Sequence, residues 1–145
     1  MGATIQIPCA QCLAKNRAPE GRLSDRPVCG RCKSQLLPDH PIELTDQSFD
    51  AFVEGSELPV IVDFWAAWCG PCRTMAPHFE AAARARAGRA LFAKLNTEQA
   101  PRTAARLRIQ SIPTLVAFRA GRELARQSGL MNQAGIDRWV ETLPR

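Results

Sequence analysis

The sequence has no tyrosine, and its aromatic residues are six phenylalanines and three tryptophans, none of which precedes Phe49. Proteins that bind single-stranded nucleic acids stack the bases on aromatic side chains. The basic residues in the first third of the chain therefore have no stacking platform beside them. The net charge of +5 also does not come from a run of Lys and Arg long enough to form a nucleic-acid-binding tail. We expect no nucleic acid among the partners of this protein.

Long apolar runs are also missing from the sequence. No stretch approaches the roughly 20 apolar residues that a membrane-spanning helix needs. The opening residues, MGATIQIPCAQC, carry neither the basic nor the apolar segment of a signal peptide. We therefore expect a cytoplasmic protein with no membrane partner. In that compartment six cysteines indicate metal binding and catalysis, because structural disulfides are rare there.

Two of the three cysteine pairs lie near the N-terminus. Cys9 and Cys12 are separated by sixteen residues from Cys29 and Cys32, a spacing within the range of four-cysteine zinc sites. Four thiolates can surround one Zn²⁺ tetrahedrally and leave no open position, so the spacing predicts a structural, zinc-ribbon-like site. One alternative is a redox-sensitive module, since coordinated thiolates are oxidisable and peroxide could release the zinc. Another alternative is that the pairs form two further redox disulfides, although neither pair follows a strand at the start of a helix. His40 lies well beyond this complete ligand set, which makes it a linker residue.

The N-terminal segment has too few aliphatic residues to build a core of its own. Metal coordination, worth about 10–16 kcal/mol in zinc-finger peptides, would supply its folding free energy. Two prolines then mark a short, stiff linker. We predict a zinc-binding module in residues 1–36, a linker in residues 37–41, and a second domain in residues 42–145. The core and the remaining cysteine pair of that domain are expected to lie entirely downstream of Pro41.

The third cysteine pair ends the stretch VIVDFWAAWCGPC, which covers residues 60–72. Its β-branched, apolar start predicts a strand buried on both faces. Pro71 suits the first turn of a helix, since its missing N–H has no intrahelical partner there. Cys69 would then lie at the helix N-terminus, where N–H groups and the helix dipole stabilise a thiolate, with Cys72 on the same face. The alternative, half of a metal site, would need a second ligand pair, and this domain offers only His78 in addition.

Asp63 interrupts the apolar strand. If helices cover both faces of the sheet, its carboxylate is desolvated and its pKa is raised. The alternative is an aspartate that hydrogen-bonds to a turn.

On the helix that follows Cys72, Arg84, Arg86 and Arg89 are expected to face water.

WCGPC after an apolar strand that carries an aspartate resembles the thioredoxin family. Ile112-Pro113 before a second β-branched strand resembles the cis-proline loop of that family. With the upstream cysteine pairs, the chain is similar to the bacterial thioredoxin 2 type, which has an N-terminal zinc-binding extension. The resemblance runs from about Ile42 to the C-terminus. It implies an α/β fold in which a mixed five-strand sheet is flanked by four helices.

The resemblance also implies a function, namely an enzyme that reduces protein disulfides by thiol–disulfide exchange. Cys69 would attack the substrate, Cys72 would resolve the mixed disulfide, Asp63 would carry the proton, and Lys94 would correspond to the lysine that pairs with the aspartate. The expected substrate-binding surface consists of Trp68, Gly70, Pro71, Ile112, Pro113 and Gly129. Many members of the family carry an aliphatic residue in place of Ser128, so the groove should be slightly more polar here.

The partners implied by the resemblance are protein disulfide substrates and a flavin-containing thioredoxin reductase, on which NADPH acts. The expected cofactor is one structural zinc ion with no organic cofactor, and the expected state is a monomer. Two other functions stay open. A disulfide oxidant or isomerase is one, although the Gly-Pro dipeptide between the cysteines favours a reducing potential. A zinc-dependent, peptide-binding chaperone is the other.

Overall fold

The computed structural model describes residues 3–144. Its strands are β1 (Thr4–Pro8), β2 (Lys15–Pro19), β3 (Ile42–Leu44), β4 (Val60–Trp65), β5 (Leu91–Asn96), β6 (Thr114–Arg119) and β7 (Arg122–Ser128). Its helices are α1 (Phe49–Gly55), α2 (Gly70–Ala85), α3 (Pro101–Arg106) and α4 (Gln133–Glu141), with a 3₁₀ helix at Glu20–Asp25.

Five strands form one mixed sheet in the order β3-β5-β4-β6-β7. The strands β3, β5 and β4 are parallel, whereas β6 and β7 are antiparallel to their neighbours. The central strand β4 is buried over its first five residues, as its continuous apolar run predicts. The predicted α/β fold with a mixed five-strand sheet and four helices is confirmed.

The helices cover both faces of this sheet. On one face, Met75 and Phe79 of α2 and Ile136 of α4 pack against Ile61 and Phe92. On the other face, the side chains of α1 pack against the alternate residues of the same strands. Since both faces are covered, any polar side chain in the middle of β4 is taken out of water.

Arg86 departs from its expected position. Its side chain is only 14% exposed and lies against α4, where the guanidinium bonds the Asp137 carbonyl oxygen at 3.1 Å and the Glu141 carboxylate at 3.0 Å. The expectation that Arg86 faces water is therefore wrong, because α4 supplies acceptors that no local pattern could reveal. Arg84 and Arg89 are both exposed, as expected.

Residues 3–36, here called the N-terminal module, consist of a small hairpin and two turns that carry the cysteine pairs. The strands β1 and β2 pair in antiparallel fashion from Thr4 opposite Pro19 to Pro8 opposite Lys15. The first turn, with Cys9 and Cys12, connects β1 to β2, and the second, with Cys29 and Cys32, is closed by an isolated antiparallel bridge between Val28 and Gln35.

The N-terminal module packs directly on the sheet domain. Ile7 is fully buried in the same cluster as Phe52 of α1, and Leu36 and Leu37 belong to that cluster too. The expectation that this core lies entirely downstream of Pro41 is therefore wrong. The physical reason is the shortage of apolar residues in the module, which can bury its few aliphatic side chains only against the larger domain.

Hydrogen bonds reinforce this contact. The Gln6 N–H donates to the Glu57 carboxylate at 2.6 Å, and the Glu57 N–H donates to the Gln6 carbonyl at 2.9 Å. The Gln6 side chain donates to the Gly55 carbonyl at 3.0 Å. A Cβ at Gly55 would lie 3.4 Å from Pro8, so the two segments are already in van der Waals contact.

In residues 3–144, no helix has the length and apolar character needed to cross a membrane.

Candidate functional site

The third cysteine pair lies at the N-terminus of α2, where the sequence places it. Cys69 is the N-cap residue with extended backbone angles, and Pro71 lies in the first turn. Cys69 and Cys72 form a disulfide, with their Cα atoms 5.2 Å apart. The Cys69 Sγ atom accepts a hydrogen bond from the Cys72 N–H at 3.2 Å. This main-chain donor and the helix dipole both favour negative charge on Cys69 once the disulfide is reduced.

The loop before β6 lies against the dithiol. The Ile112–Pro113 peptide bond is cis, as the family resemblance predicts. The Ile112 carbonyl oxygen lies 3.8 Å from the Cys69 Sγ atom, and the Pro113 carbonyl accepts a hydrogen bond from the Gly129 N–H at 2.9 Å. Ile112, Pro113 and Gly129 are distant in sequence from Cys69 and Cys72. The fold nevertheless brings them to the rim of the disulfide.

Trp68 is the most exposed large apolar side chain described, at 66% of its surface. Its indole N–H donates to the Glu98 carboxylate at 2.7 Å. Glu98 fixes the orientation of the ring beside the disulfide, and it is a site residue that the sequence did not indicate. An acidic residue in the turn after β5 is too ordinary to single out without the fold.

Ser128, which is expected to make the groove more polar, has its hydroxyl engaged in a hydrogen bond within the protein. Its hydroxyl lies 3.0 Å from the hydroxyl of Thr114, which donates to the Ser111 carbonyl at 2.6 Å. The Ser128 hydroxyl therefore donates to the Thr114 hydroxyl at the base of the proline loop.

Asp63 is fully buried in β4, and neither of its carboxylate oxygens has a hydrogen-bond partner among the described residues. Desolvation raises the pKa of Asp63 from its ordinary 3.8 to about 7, with the positive charge of Lys94 acting in the opposite direction. The predicted burial and raised pKa are confirmed, and the alternative of a hydrogen bond to a turn is wrong. A carboxyl group with this pKa can take up or release a proton near neutral pH.

Lys94 is the neighbour of Asp63 in the pairing of β4 with β5. Its Nζ atom lies over the Trp65 ring, 4.4 Å from the ring centroid, and within residues 3–144 it forms no ion pair with Asp63. The expected direct pairing is therefore absent. Lys94 acts on Asp63 through its electrostatic field alone.

Substitution of Asp63 by asparagine is expected to stabilise the protein at neutral and alkaline pH. With a pKa near 3.8 when unfolded and about 7 when folded, the aspartate lowers the free energy of unfolding as pH rises through this window. The full difference of about three pKa units corresponds to about 4 kcal/mol above pH 7. Urea unfolding of the Asp63→Asn variant and the parent protein at several pH values measures this gain. Below about pH 4 the two proteins should be equally stable, and an equal gain at every pH would contradict the raised pKa.

The four N-terminal cysteines converge on one point. Their Sγ atoms all lie within 4.8 Å of one another, with 3.5 Å between Cys9 and Cys32 and 3.6 Å between Cys12 and Cys29. Tetrahedral zinc with Zn–S bonds of about 2.3 Å places its sulfurs about 3.8 Å apart. The cluster therefore has the size of a four-cysteine zinc site.

The two cysteine turns share one backbone design. Leu13 and Lys33, each directly after the second cysteine of its pair, have positive φ angles of 63° and 69°. Their N–H groups donate to the carbonyls of Cys9 and Cys29 at 2.8 and 2.9 Å. This folds each pair so that both sulfurs point to the same side.

Hydrogen bonds, desolvation and the neighbouring sulfurs shift the pKa values of thiols in the cluster in different directions. The pKa of Cys29 is lowered to about 6, chiefly by the main-chain N–H of Cys32 and then by the amide of Asn16. The pKa of Cys12 is raised to about 11, since desolvation and the three neighbouring sulfurs outweigh the hydrogen bond from the Ala14 main chain. Without a cation the four thiols cannot all ionise together, and a divalent soft metal removes that conflict. The donor set fits zinc.

Comparison with known proteins agrees with this geometry. Residues 40–142 match the family model described as Thioredoxin. The chain belongs to the thioredoxin family. Residues 8–34 match a second model, described as Thioredoxin 2, N-terminal, which is a zinc-ribbon family. The predicted resemblance to zinc-bearing thioredoxins is therefore confirmed.

Named thioredoxins are similar over most or part of the chain. Thioredoxin C-3 of Corynebacterium nephridii is 47% identical over 135 residues, which cover 93% of this chain and 92% of that protein. The thioredoxin of Alicyclobacillus acidocaldarius subsp. acidocaldarius is 49% identical over 86 residues, or 59% of this chain and 81% of that protein. Thioredoxins are protein-disulfide reductases, and the cysteine pair of this chain lies where such a reductase needs it. The family acts on protein disulfides and is recycled by a thioredoxin reductase.

Proposed function

We propose that this protein reduces disulfide bonds in other proteins through Cys69 and Cys72. The observation that carries the proposal is the placement of this pair at the N-terminus of α2, where Cys69 accepts the Cys72 N–H. That environment lowers the cost of a Cys69 thiolate, which is the form that attacks a disulfide.

The reaction has two exchange steps. The Cys69 thiolate attacks one sulfur of the substrate disulfide, forms a mixed disulfide with it, and releases the other substrate sulfur as a thiolate that takes a proton from solvent. The Cys72 thiol then loses its proton and attacks Cys69, which forms the Cys69–Cys72 disulfide and releases the second substrate thiol. The substrate gains two electrons and the enzyme loses two.

We assign Asp63 to the proton of the second step. Cys72 must be deprotonated while docked substrate covers the dithiol, so the acceptor has to lie inside the protein. Asp63 is buried and unpaired, and its pKa of about 7 allows it to accept a proton and to return it. Lys94 supports the ionised form of Asp63 by its charge.

The substrate-binding surface in this proposal is the rim around the disulfide. Trp68 contributes apolar area on one side, and Gly70 and Pro71 form the first turn of α2 beside it. The other side consists of Ile112, Pro113 and Gly129, whose N–H donates to the Pro113 carbonyl and holds the proline loop. An apolar rim of this kind suits an extended segment of a protein substrate.

In the N-terminal module we propose one structural zinc ion, held by Cys9, Cys12, Cys29 and Cys32. Bound zinc would keep all four sulfurs as thiolates and tie the two turns together. Since four sulfurs fill the coordination sphere, the ion would have no open position for substrate. The module would therefore take no direct part in disulfide exchange, and we place its boundary with the thioredoxin domain in residues 37–41.

The proposed reducing activity implies an electron donor and a cellular compartment for the protein. Two electrons must return to Cys69 and Cys72 after each turnover, and we propose a flavin-containing thioredoxin reductase driven by NADPH as their source. Both a reducing dithiol and a zinc-thiolate cluster persist best in a reducing compartment. We accordingly place the protein in the cytoplasm, as a monomer with no organic cofactor.

The test is reduction of insulin, whose released chains precipitate. With dithiothreitol, or with NADPH and a bacterial thioredoxin reductase, the protein should accelerate precipitation many-fold over the reductant alone. A measured reduction potential separates a reductase from an oxidant or isomerase, since thioredoxins lie near about −270 mV and strong oxidants near about −120 mV. No acceleration, together with an oxidising potential, would overturn the proposal.

A further inference from the structure

Arg73 holds a fixed position beside the dithiol that the exchange reaction itself does not require. Its side chain is exposed, but its Nη1 atom donates to the Ala67 carbonyl at 2.7 Å, which ties the guanidinium back across the start of α2. The Nη2 atom lies 4.0 Å from the point where a Cβ of Gly70 would be. A positive charge is therefore held between the loop before Cys69 and the first turn of α2.

The guanidinium has donors to spare. Arginine carries five N–H donors, and one of those of Arg73 is occupied by Ala67. No carboxylate of residues 3–144 forms an ion pair with Arg73. The free donors are available to a carboxylate or carbonyl of a docked segment, for which the planar guanidinium has matching geometry.

The segments that form the rest of the rim are uncharged. Residues 66–72, 109–114 and 127–133 contain no Asp, Glu, Lys or Arg. The carboxylate of Glu98, on the Trp68 side, is engaged by the indole N–H, and Asp63 is buried beneath the surface. Because neighbouring charge is so sparse, the charge of Arg73 acts on a docked substrate with little compensation from the rim.

We propose that Arg73 is a specificity-determining residue, which favours substrates that carry an acidic side chain next to the disulfide under attack. This inference rests on the proposed function, because it concerns which disulfides Cys69 reaches fastest. The preferred substrate class is an extended, mostly apolar segment with a Glu or Asp close to its cysteine.

The test uses two short peptides that differ only in a Glu or a Gln beside a single cysteine. Each cysteine carries a neutral 2-thiopyridyl group as a mixed disulfide. Attack by the reduced enzyme forms the bond from Cys69 to the peptide sulfur and releases thiopyridone, whose absorbance gives the rate. The ratio of the Glu rate to the Gln rate is the readout, since it cancels any change in the reactivity of Cys69 itself.

An exposed pair of opposite charges predicts a ratio of about three for the unmodified protein. The ratio should fall to about one in Arg73→Gln, drop below one in Arg73→Glu, and be largely kept in Arg73→Lys. It should also shrink at high ionic strength, because salt screens exposed charges. Arg119→Gln is the matched control: Arg119 also donates Nη1 to a main-chain carbonyl, that of Pro144, but lies about 17 Å along β6 from the proline loop.

The inference is overturned if Arg73→Gln keeps the ratio of the unmodified protein, if Arg119→Gln lowers it equally, or if the unmodified protein shows no preference. Any of these results with normal insulin reduction removes only the role of Arg73. Failure to react with either peptide or with insulin removes the proposed function as well.

Discussion

Replacement of Cys69 by serine is expected to abolish insulin reduction, with a loss of more than about a thousandfold in rate. Serine carries a hydroxyl group that stays protonated at neutral pH, so the first exchange step has no nucleophile. Cys72 is not placed to take over, because it lies inside α2 and lacks the N-cap position and the main-chain donor that stabilise a Cys69 thiolate. Cys72→Ser should behave differently, since it retains attack by Cys69 but lacks the thiol that resolves the mixed disulfide.

The two variants are distinguished by what they accumulate. With a protein disulfide substrate, Cys72→Ser should form a covalent adduct that survives a non-reducing gel and disappears with dithiothreitol, whereas Cys69→Ser should form none. Arg119→Gln serves as a control for the assay, since it lies far from the dithiol and should reduce insulin normally. Turnover by Cys69→Ser at the parent rate would rule out the assignment of the nucleophile.

Loss of the proposed zinc site is expected to destabilise the whole described structure and not the N-terminal module alone. Structural zinc contributes about 10–16 kcal/mol to the folding of small zinc-finger peptides. Here Ile7, Leu36 and Leu37 share one buried cluster with Phe52 of α1, so disorder in the module would expose apolar surface on the larger domain. Cys29→Ser should therefore lower the free energy of unfolding by several kcal/mol.

The measurement is urea unfolding followed by tryptophan fluorescence, together with metal analysis. All three tryptophans, Trp65, Trp68 and Trp139, lie outside the module, so they report on the thioredoxin domain. Gln11→Ser is the matched control, since it changes an exposed side chain within a cysteine turn and leaves the four sulfurs in place. An unchanged fluorescence transition in a zinc-free Cys29→Ser protein would show that the two parts are energetically independent.

The sequence could predict those features whose cause is local. The apolar run before Cys69 predicts the central strand, Pro71 predicts the helix start, and the cysteine spacing predicts a cluster of four sulfurs; the structure has all three. Asp63 was identifiable because a carboxylate in an apolar strand violates the pattern around it.

The features that escaped prediction depend on residues far apart in the chain. Trp68 and Glu98 are thirty residues apart, Gln6 and Glu57 fifty-one, and Glu98, Gln6 and Glu57 are ordinary in their local context. Lys94 shows that a correct position in the sheet does not determine the contacts of its side chain. Its register beside Asp63 follows from strand pairing, but the direction of a long, flexible side chain does not.

The contact between β1 and the end of α1 should hold the N-terminal module on the thioredoxin domain even when the chain between them is cut. Ile7, Leu36 and Leu37 on the N-terminal side are buried, and Gln6 is hydrogen-bonded to Glu57 and Gly55 across the contact. A nick introduced after Asp39, where the neighbouring side chains are exposed, would therefore leave a two-fragment complex that elutes as one species from a sizing column. The surface between the fragments then behaves as a subunit interface that happens to lie within one polypeptide.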